Sequence, residues 1–210
     1  MCRTCSFFHN PLTGDIVVSD LSSHSETEKA LKLNLKVWRE GHYLPNGEVE
    51  CRVSEEDRVT RDECDARMKL RFPTFVSFFN WAMRELNYTV KGSLDLSGLT
   101  SAKDLVLPTS LGGSLYLSGL TSAKDLVLPT SLGGSLYLRG LTSAKDLVLP
   151  TSIGGDLYLS GLTSAKDLVL PTSLGGSLDL SGLTSAKDLV LPTSIGGSLY
   201  LRDKVQQDRW

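Results

Sequence analysis

No stretch of the 210-residue chain holds the roughly 20 consecutive apolar residues of a membrane-spanning helix, so no span is expected. Its start, Met1-Cys2-Arg3-Thr4-Cys5, lacks the apolar core of a secretory signal, which points to a soluble, cytoplasmic protein. An excess of charge is missing too. Residues 1–91 carry 13 basic and 14 acidic side chains and residues 92–210 carry 9 and 10, a net of −1 in each part and −2 in all. That balance excludes the basic footprint of a nucleic-acid binder and the strong acidity of a nucleic-acid mimic, and it leaves protein partners. Cysteine is scarce, with four residues all before position 65. In a reducing compartment these are expected as free thiols and not as a disulfide framework. Nor does any nucleophile elbow, phosphate loop or HExxH motif appear.

What the chain does have is a 21-residue repeat. GSLDLSGLTSAKDLVLPTSLG begins at Gly92, recurs four more times and stops within a sixth copy at Arg202. Stacked units of this kind present a surface and are usually binders or spacers. Within one copy, Ser-Leu-Tyr-Leu and Asp-Leu-Val-Leu are short alternating runs closed by turn residues, Ser118-Gly119 after the first and Pro129 to Gly134 after the second. Two strands per coil follow. Alternation puts Leu115, Leu117, Leu126 and Leu128 inward, with Leu120, Ala123 and Leu132 closing the corners. A helix through SAKDLVL is opposed by the Pro and Gly-Gly that follow it, which leave room for at most one turn near Thr121 to Lys124.

The Leu-x-Leu-x-x-Leu spacing over residues 92–202 resembles leucine-rich repeats. The resemblance implies a solenoid with a strand in each repeat lining a protein-binding face. The family's Asn position falls here on Leu120 and Ser131, so a straighter, two-sheeted β-solenoid of leucine-rich-repeat-like character is expected. With it go a small α+β capping domain at 1–91 and a cap or tail at 203–210, which would cover open strand edges.

Copies this similar make their differences informative. Almost all fall on outward positions of the first strand. Its middle position reads Asp95, Tyr116, Tyr137, Tyr158, Asp179 and Tyr200; the position before it is Ser except at Asp156, and the one after is Ser except at Arg139 and Arg202. Tyr and Arg are enriched at binding hot spots, which makes this stripe the candidate partner-binding face. Tyr is also a good strand residue that stacks on its neighbour, so the same stripe would arise without a ligand. The other face repeats Lys103, Asp104, Val106 and Thr109 unchanged, a solvated file worth little per charge pair.

In the first 91 residues, 15–20 (DIVVSD) suggests a strand and Ser25 to Glu28 a capping box opening a helix through Leu33. Pro45-Asn46-Gly47 between two β-prone runs marks a hairpin. Thr60 and Glu63 form a second capping box for a helix ending near Leu70. Pro73 begins another, with Phe75, Phe78, Phe79, Ala82 and Leu86 on one face. Cys2 and Cys5 have zinc-knuckle spacing, with His9 as a third candidate ligand and Cys51, Cys64, His24 or His42 to complete the set. No second CxxC supports them, and Cys51 and Cys64 fall on apolar faces as core thiols. No cofactor is therefore expected, with zinc as the alternative.

These observations favour a non-catalytic protein-binding protein, in the style of the small inhibitors of phage and mobile elements that block a protein partner. Its candidate contacts are Tyr116, Tyr137, Tyr158, Arg139, Asp95, Asp156, Asp179 and Tyr200. The alternatives are a metal- or His-dependent enzyme in the N-terminal domain with the repeats as spacer, and a structural protein that self-associates through its repeats.

Overall fold

The structure, a computed structural model, describes residues 6–9, 16–18, 39–51, 60–85, 90, 92–185 and 187–202. The chain divides into two compact units, Met1–Thr89 and Val90–Trp210. Several expectations lie outside the described residues: Cys2, Cys5, His24, the helix after Ser25, Leu86 and the tail at 203–210. No helix among the described residues is long and apolar enough to cross a membrane.

In the first unit, β1 (Ser6–His9), β2 (Ile16–Val18), β3 (Arg39–Tyr43) and β4 (Val49–Cys51) form an antiparallel sheet in the order β2-β1-β3-β4. The hairpin between β3 and β4 turns where Pro45-Asn46-Gly47 predicts. Gly47 N–H donates to Leu44 O at 2.9 Å, Leu44 N–H donates to Glu48 O at 2.8 Å, and Gly47 lies at φ 89°. Pro45 presets the turn's first corner, and the left-handed residue that ends a three-residue loop is a glycine, which has no Cβ to clash. Strand β1 carries no periodic signal in the sequence.

Two helices follow. In α1 (Arg61–Arg71) the capping box forms, Thr60 N–H donating to Glu63 Oε2 at 2.7 Å and Glu63 N–H to Thr60 Oγ1 at 3.2 Å. The second, α2 (Phe75–Glu85), starts two residues beyond Pro73, with Thr74 as its cap: Ser77 N–H donates to Thr74 Oγ1 at 3.1 Å. Phe75, Phe78, Phe79 and Ala82 recur at the i, i+3, i+4, i+7 spacing of one helix face and are all buried. Tyr43 stacks on Phe78, with centroids 5.6 Å apart, and its hydroxyl donates to Phe72 O at 2.9 Å.

Cys51 and Cys64 are not separate thiols. They are buried as their strand and helix faces predict, but α1 packs on β4, brings their Cα atoms to 6.5 Å and joins them in a disulfide. That spacing lies within the range a bridge spans. The expectation of free thiols came from compartment, while the pairing comes from packing.

The second unit is a parallel β-solenoid with 21-residue coils. Strands Leu94–Asp95, Leu115–Tyr116, Leu136–Tyr137, Leu157–Tyr158, Leu178–Leu180 and Leu199–Leu201 make one six-stranded sheet in chain order, each paired with its equivalent 21 residues on. Main-chain bonds tie the coils, as from Leu115 N–H to Ser135 O at 2.9 Å and Leu117 N–H to Tyr137 O at 2.9 Å. Leu115, Leu117, Leu120, Ala123, Leu126 and Leu132 are buried and stack on their equivalents as the interior.

The second strand of each coil is not the Asp-Leu-Val-Leu run. It is the Ser-Leu or Ser-Ile pair beyond Pro, at Ser110–Leu111, Ser131–Leu132, Ser152–Ile153, Ser173–Leu174 and Ser194–Ile195. The cause lies at Asp125 and its equivalents, which sit at φ between 61° and 65°. Leu126 N–H donates to Ala123 O at 3.1 Å, closing a turn over Lys124 and Asp125 in which the third residue must be left-handed. Asp tolerates that region better than most side chains. The run is thereby bent out of extended geometry, leaving Leu128 half-buried and Val127 72 % exposed. The same turn stands where a helical turn at Thr121 to Lys124 was the alternative.

Candidate binding face

Register decides what the outer face of the six-stranded sheet looks like. Tyr116 pairs with Tyr137, Tyr137 with Tyr158, Tyr158 with Asp179 and Asp179 with Tyr200. Residues in register on adjacent parallel strands point the same way, so the three consecutive tyrosines can only stack or splay. They stack: ring centroids lie 4.4 Å apart between Tyr116 and Tyr137 and 4.5 Å between Tyr137 and Tyr158, with planes within 15° of parallel. The Arg139 guanidinium sits 4.3 Å from the Tyr158 ring centre and 5.9 Å from that of Tyr137. It makes the cation–π contact that a flat, weakly hydrated cation favours.

The position before each strand forms a hydrogen-bond ladder that runs between coils. Ser114 N–H donates to Ser93 Oγ and Ser135 N–H to Ser114 Oγ, both at 3.0 Å, and Asp156 N–H to Ser135 Oγ at 2.9 Å. Asp156 continues it, its Oδ1 accepting from Ser177 N–H at 2.6 Å while its Oδ2 accepts from the Tyr158 hydroxyl at 3.1 Å. A residue that looked like a variable surface position therefore orients an aromatic ring. At the tyrosine position, Asp95 and Asp179 fold onto their own coils instead, Oδ1 accepting from Ser97 N–H at 3.0 Å and Ser181 N–H at 3.1 Å.

Compared with known proteins, the chain matches no family model, no curated protein and no solved structure. The face must be judged on its own chemistry.

Of the eight sequence candidates, Tyr116, Tyr137, Tyr158, Arg139 and Asp156 form one connected group, and Tyr158, Asp179 and Tyr200 border a groove. Asp95 occupies the same file one coil before Tyr116. His9 ends β1, paired with Ile16 and Arg39, and His42 lies in β3 opposite Ser6 and Glu50. Among the described residues no three His, Cys, Asp or Glu side chains gather as metal ligands would.

Burial under neighbouring groups raises the Tyr158 phenol above its ordinary value; donation to Asp156 and that carboxylate's charge add to the rise, and Arg139 opposes it. Burial also raises Tyr116, with Tyr137 adding to it. An acid raised in the fold binds its proton more tightly there than in the unfolded chain. Its contribution is thus complete below the unfolded value of about 10 and is lost as pH climbs through the raised one. The melting temperature should therefore fall above about pH 10, and fall less steeply in Tyr116→Phe/Tyr158→Phe, which has neither proton to lose. Parallel slopes in thermal melts of the two proteins would remove the ladder from the alkaline transition.

Proposed function

We propose that this chain is a non-catalytic protein-binding protein whose contact surface is the tyrosine face of the solenoid. One observation carries the reading: Tyr116, Tyr137 and Tyr158 are stacked and pinned, with Arg139 over Tyr158 and Asp156 holding its hydroxyl, before any partner arrives. Beyond the loss of translational and rotational freedom, binding costs free energy through the ordering of side chains, at about 0.5–1.5 kcal/mol for each one immobilised. A file already ordered by its own stacking avoids most of that cost while offering the residue types found at hot spots. The finer proposal is that occupancy of this face blocks the partner, as an inhibitor would. The Cys51–Cys64 bridge favours an encounter in an oxidising compartment, where such bonds persist, over the cytoplasmic one expected from the sequence alone.

The test is a pull-down from source cells with wild type and with Tyr116→Ser/Tyr137→Ser/Tyr158→Ser, once circular dichroism has established that both fold. The recovered partner should bind the triple variant at least about tenfold more weakly, the loss of a modest hot spot. Equal binding would remove the face from the interface. A second reading, self-association, is favoured by the exposed valines of the other face, Val127, Val148 and Val169 among them. Light scattering of the purified chain across concentration separates the two.

A further inference from the structure

The aromatic file has a gap. Tyr158 and Tyr200 flank a coil whose side chain at the same register is Asp179, too short to take a ring's place. What remains is a groove of about 310 Å³ lined by Tyr158, Ser177, Asp179, Ser181 and Tyr200. Its dimensions follow from the ladder. Rings one coil apart stand 4.4–4.5 Å from centre to centre, so positions two coils apart stand about 9 Å apart, close to twice the strand spacing. A planar group in contact with both rings needs about 3.5–4.0 Å on each side, roughly 7–8 Å in all. One plane fits and two do not.

The floor of the groove selects what that plane carries. Asp179 Oδ1 accepts from the Ser181 amide at 3.1 Å and from its hydroxyl at 2.7 Å, which fixes the carboxylate in place. Both bonds fall on Oδ1, and among the described residues none falls on Oδ2. A neutral aromatic ring would leave that carboxylate unmatched. An ammonium ion is compact and strongly hydrated and cannot lie flat against two rings. A guanidinium is planar and sheds water more readily; it stacks on aromatic faces and pairs with a carboxylate along its edge. The molecule already holds a guanidinium against one of these rings, because Arg139 lies 4.3 Å from the Tyr158 ring centre. Arg139 and Tyr137 both come from the coil before Tyr158, while the coil after it carries the gap.

We propose that the groove receives an arginine side chain of the bound protein, its guanidinium between Tyr158 and Tyr200 and paired with Asp179. This rests on the reading of the tyrosine face as a protein-binding surface and names the partner residue that the face takes up.

The probe is Nα-acetyl-arginine methylamide, titrated into the full-length, ¹⁵N-labelled chain, with the matching lysine and citrulline compounds as comparisons. Saturable amide shifts are expected at Ser177, Asp179, Ser181 and Tyr200. The arginine compound should bind at least fivefold more tightly than lysine, and more tightly still than citrulline, which keeps the planar shape without the charge. Asp179→Asn should weaken it at least fivefold. Asp179→Tyr, which completes the file, should abolish it while amide shifts of coils 92–154 stay in place. Equal binding of arginine and citrulline, an unchanged affinity in Asp179→Asn, or no localised shift at saturating probe would each overturn the proposal. No partner enters this titration, so it fails or succeeds independently of the pull-down. A partner lost in the triple tyrosine variant but with no arginine binding sinks the groove alone; arginine bound, with partner binding undiminished in that variant, sinks the parent reading.

Discussion

Gly140→Ala should destabilise the solenoid by about 3 kcal/mol or more, beyond the usual range for an overpacked core. No left-handed backbone calls for glycine at this position, since among the described glycines only Gly47 has a positive φ. Space calls for it. A Cβ on Gly140 would run into the carbonyl oxygens of Ser118 and Leu120 on the preceding coil. Neither obstacle is a side chain that can swing away. Coil spacing is fixed by main-chain bonds on both sides of the solenoid, Leu117 N–H to Tyr137 O at 2.9 Å on one and Gly134 N–H to Gly113 O at 3.1 Å on the other. Relief requires the coils to part, which gives up several bonds worth about 1 kcal/mol each.

Denaturant unfolding followed by far-UV circular dichroism reads the effect as a lower midpoint. Gly47→Ala is the matching control. There a Cβ meets nothing within 4 Å, but φ is 89°, so the cost is conformational and about 1–2 kcal/mol. A loss at Gly140 no larger than at Gly47 would mean that the coils can slide apart cheaply, and the close-packed description of the stack would fail.

The 21-residue coil and its inward leucines were legible in the sequence because each copy repeats the same alternation and Leu115 and Leu117 obey it. The second strand was misplaced for a local reason. Asp125-Leu126-Val127-Leu128 alternates as a strand would, yet a single left-handed Asp bends it, whereas Ser131–Leu132 is too short to show any period. The two buried cysteines could be assigned to apolar faces, but their pairing depends on how α1 lies on β4, which no local pattern encodes. At the candidate site the tyrosine, arginine and aspartate positions stand out as the variable ones. Their grouping appears only once coils are stacked: the serine ladder spans 21 residues at every step, and Asp179 becomes a gap only beside Tyr158 and Tyr200. One signal was present in the sequence, a single Asp interrupting a file of Tyr at fixed register.

Leu157→Ala should cost about 3–4 kcal/mol, within the 2–5 kcal/mol typical of truncating a buried leucine. Leu157 is 0 % exposed, and its strand pairs with Leu136 on one side and Leu178 on the other. The cavity would therefore lie between two coils held by their own hydrogen bonds, with little freedom to collapse. Leu199, its equivalent in the last strand, is half-buried, and among the described residues it pairs with Leu178 alone. Leu199→Ala should cost about 1–2 kcal/mol, because less apolar surface is lost and the end coil relaxes more readily. In a stack whose stability is a sum over neighbouring coils, a central substitution weakens two interfaces and a terminal one weakens one. Hydrogen exchange gives the finer readout: in Leu157→Ala the amide of Leu136, bonded to Asp156 O, and that of Leu159, bonded to Asp179 O, should lose protection together, while in Leu199→Ala that of Leu136 should keep it. Loss of Leu136 protection in Leu199→Ala as well, by the full loss of stability, would mean that the second unit unfolds as one cooperative block and not coil by coil.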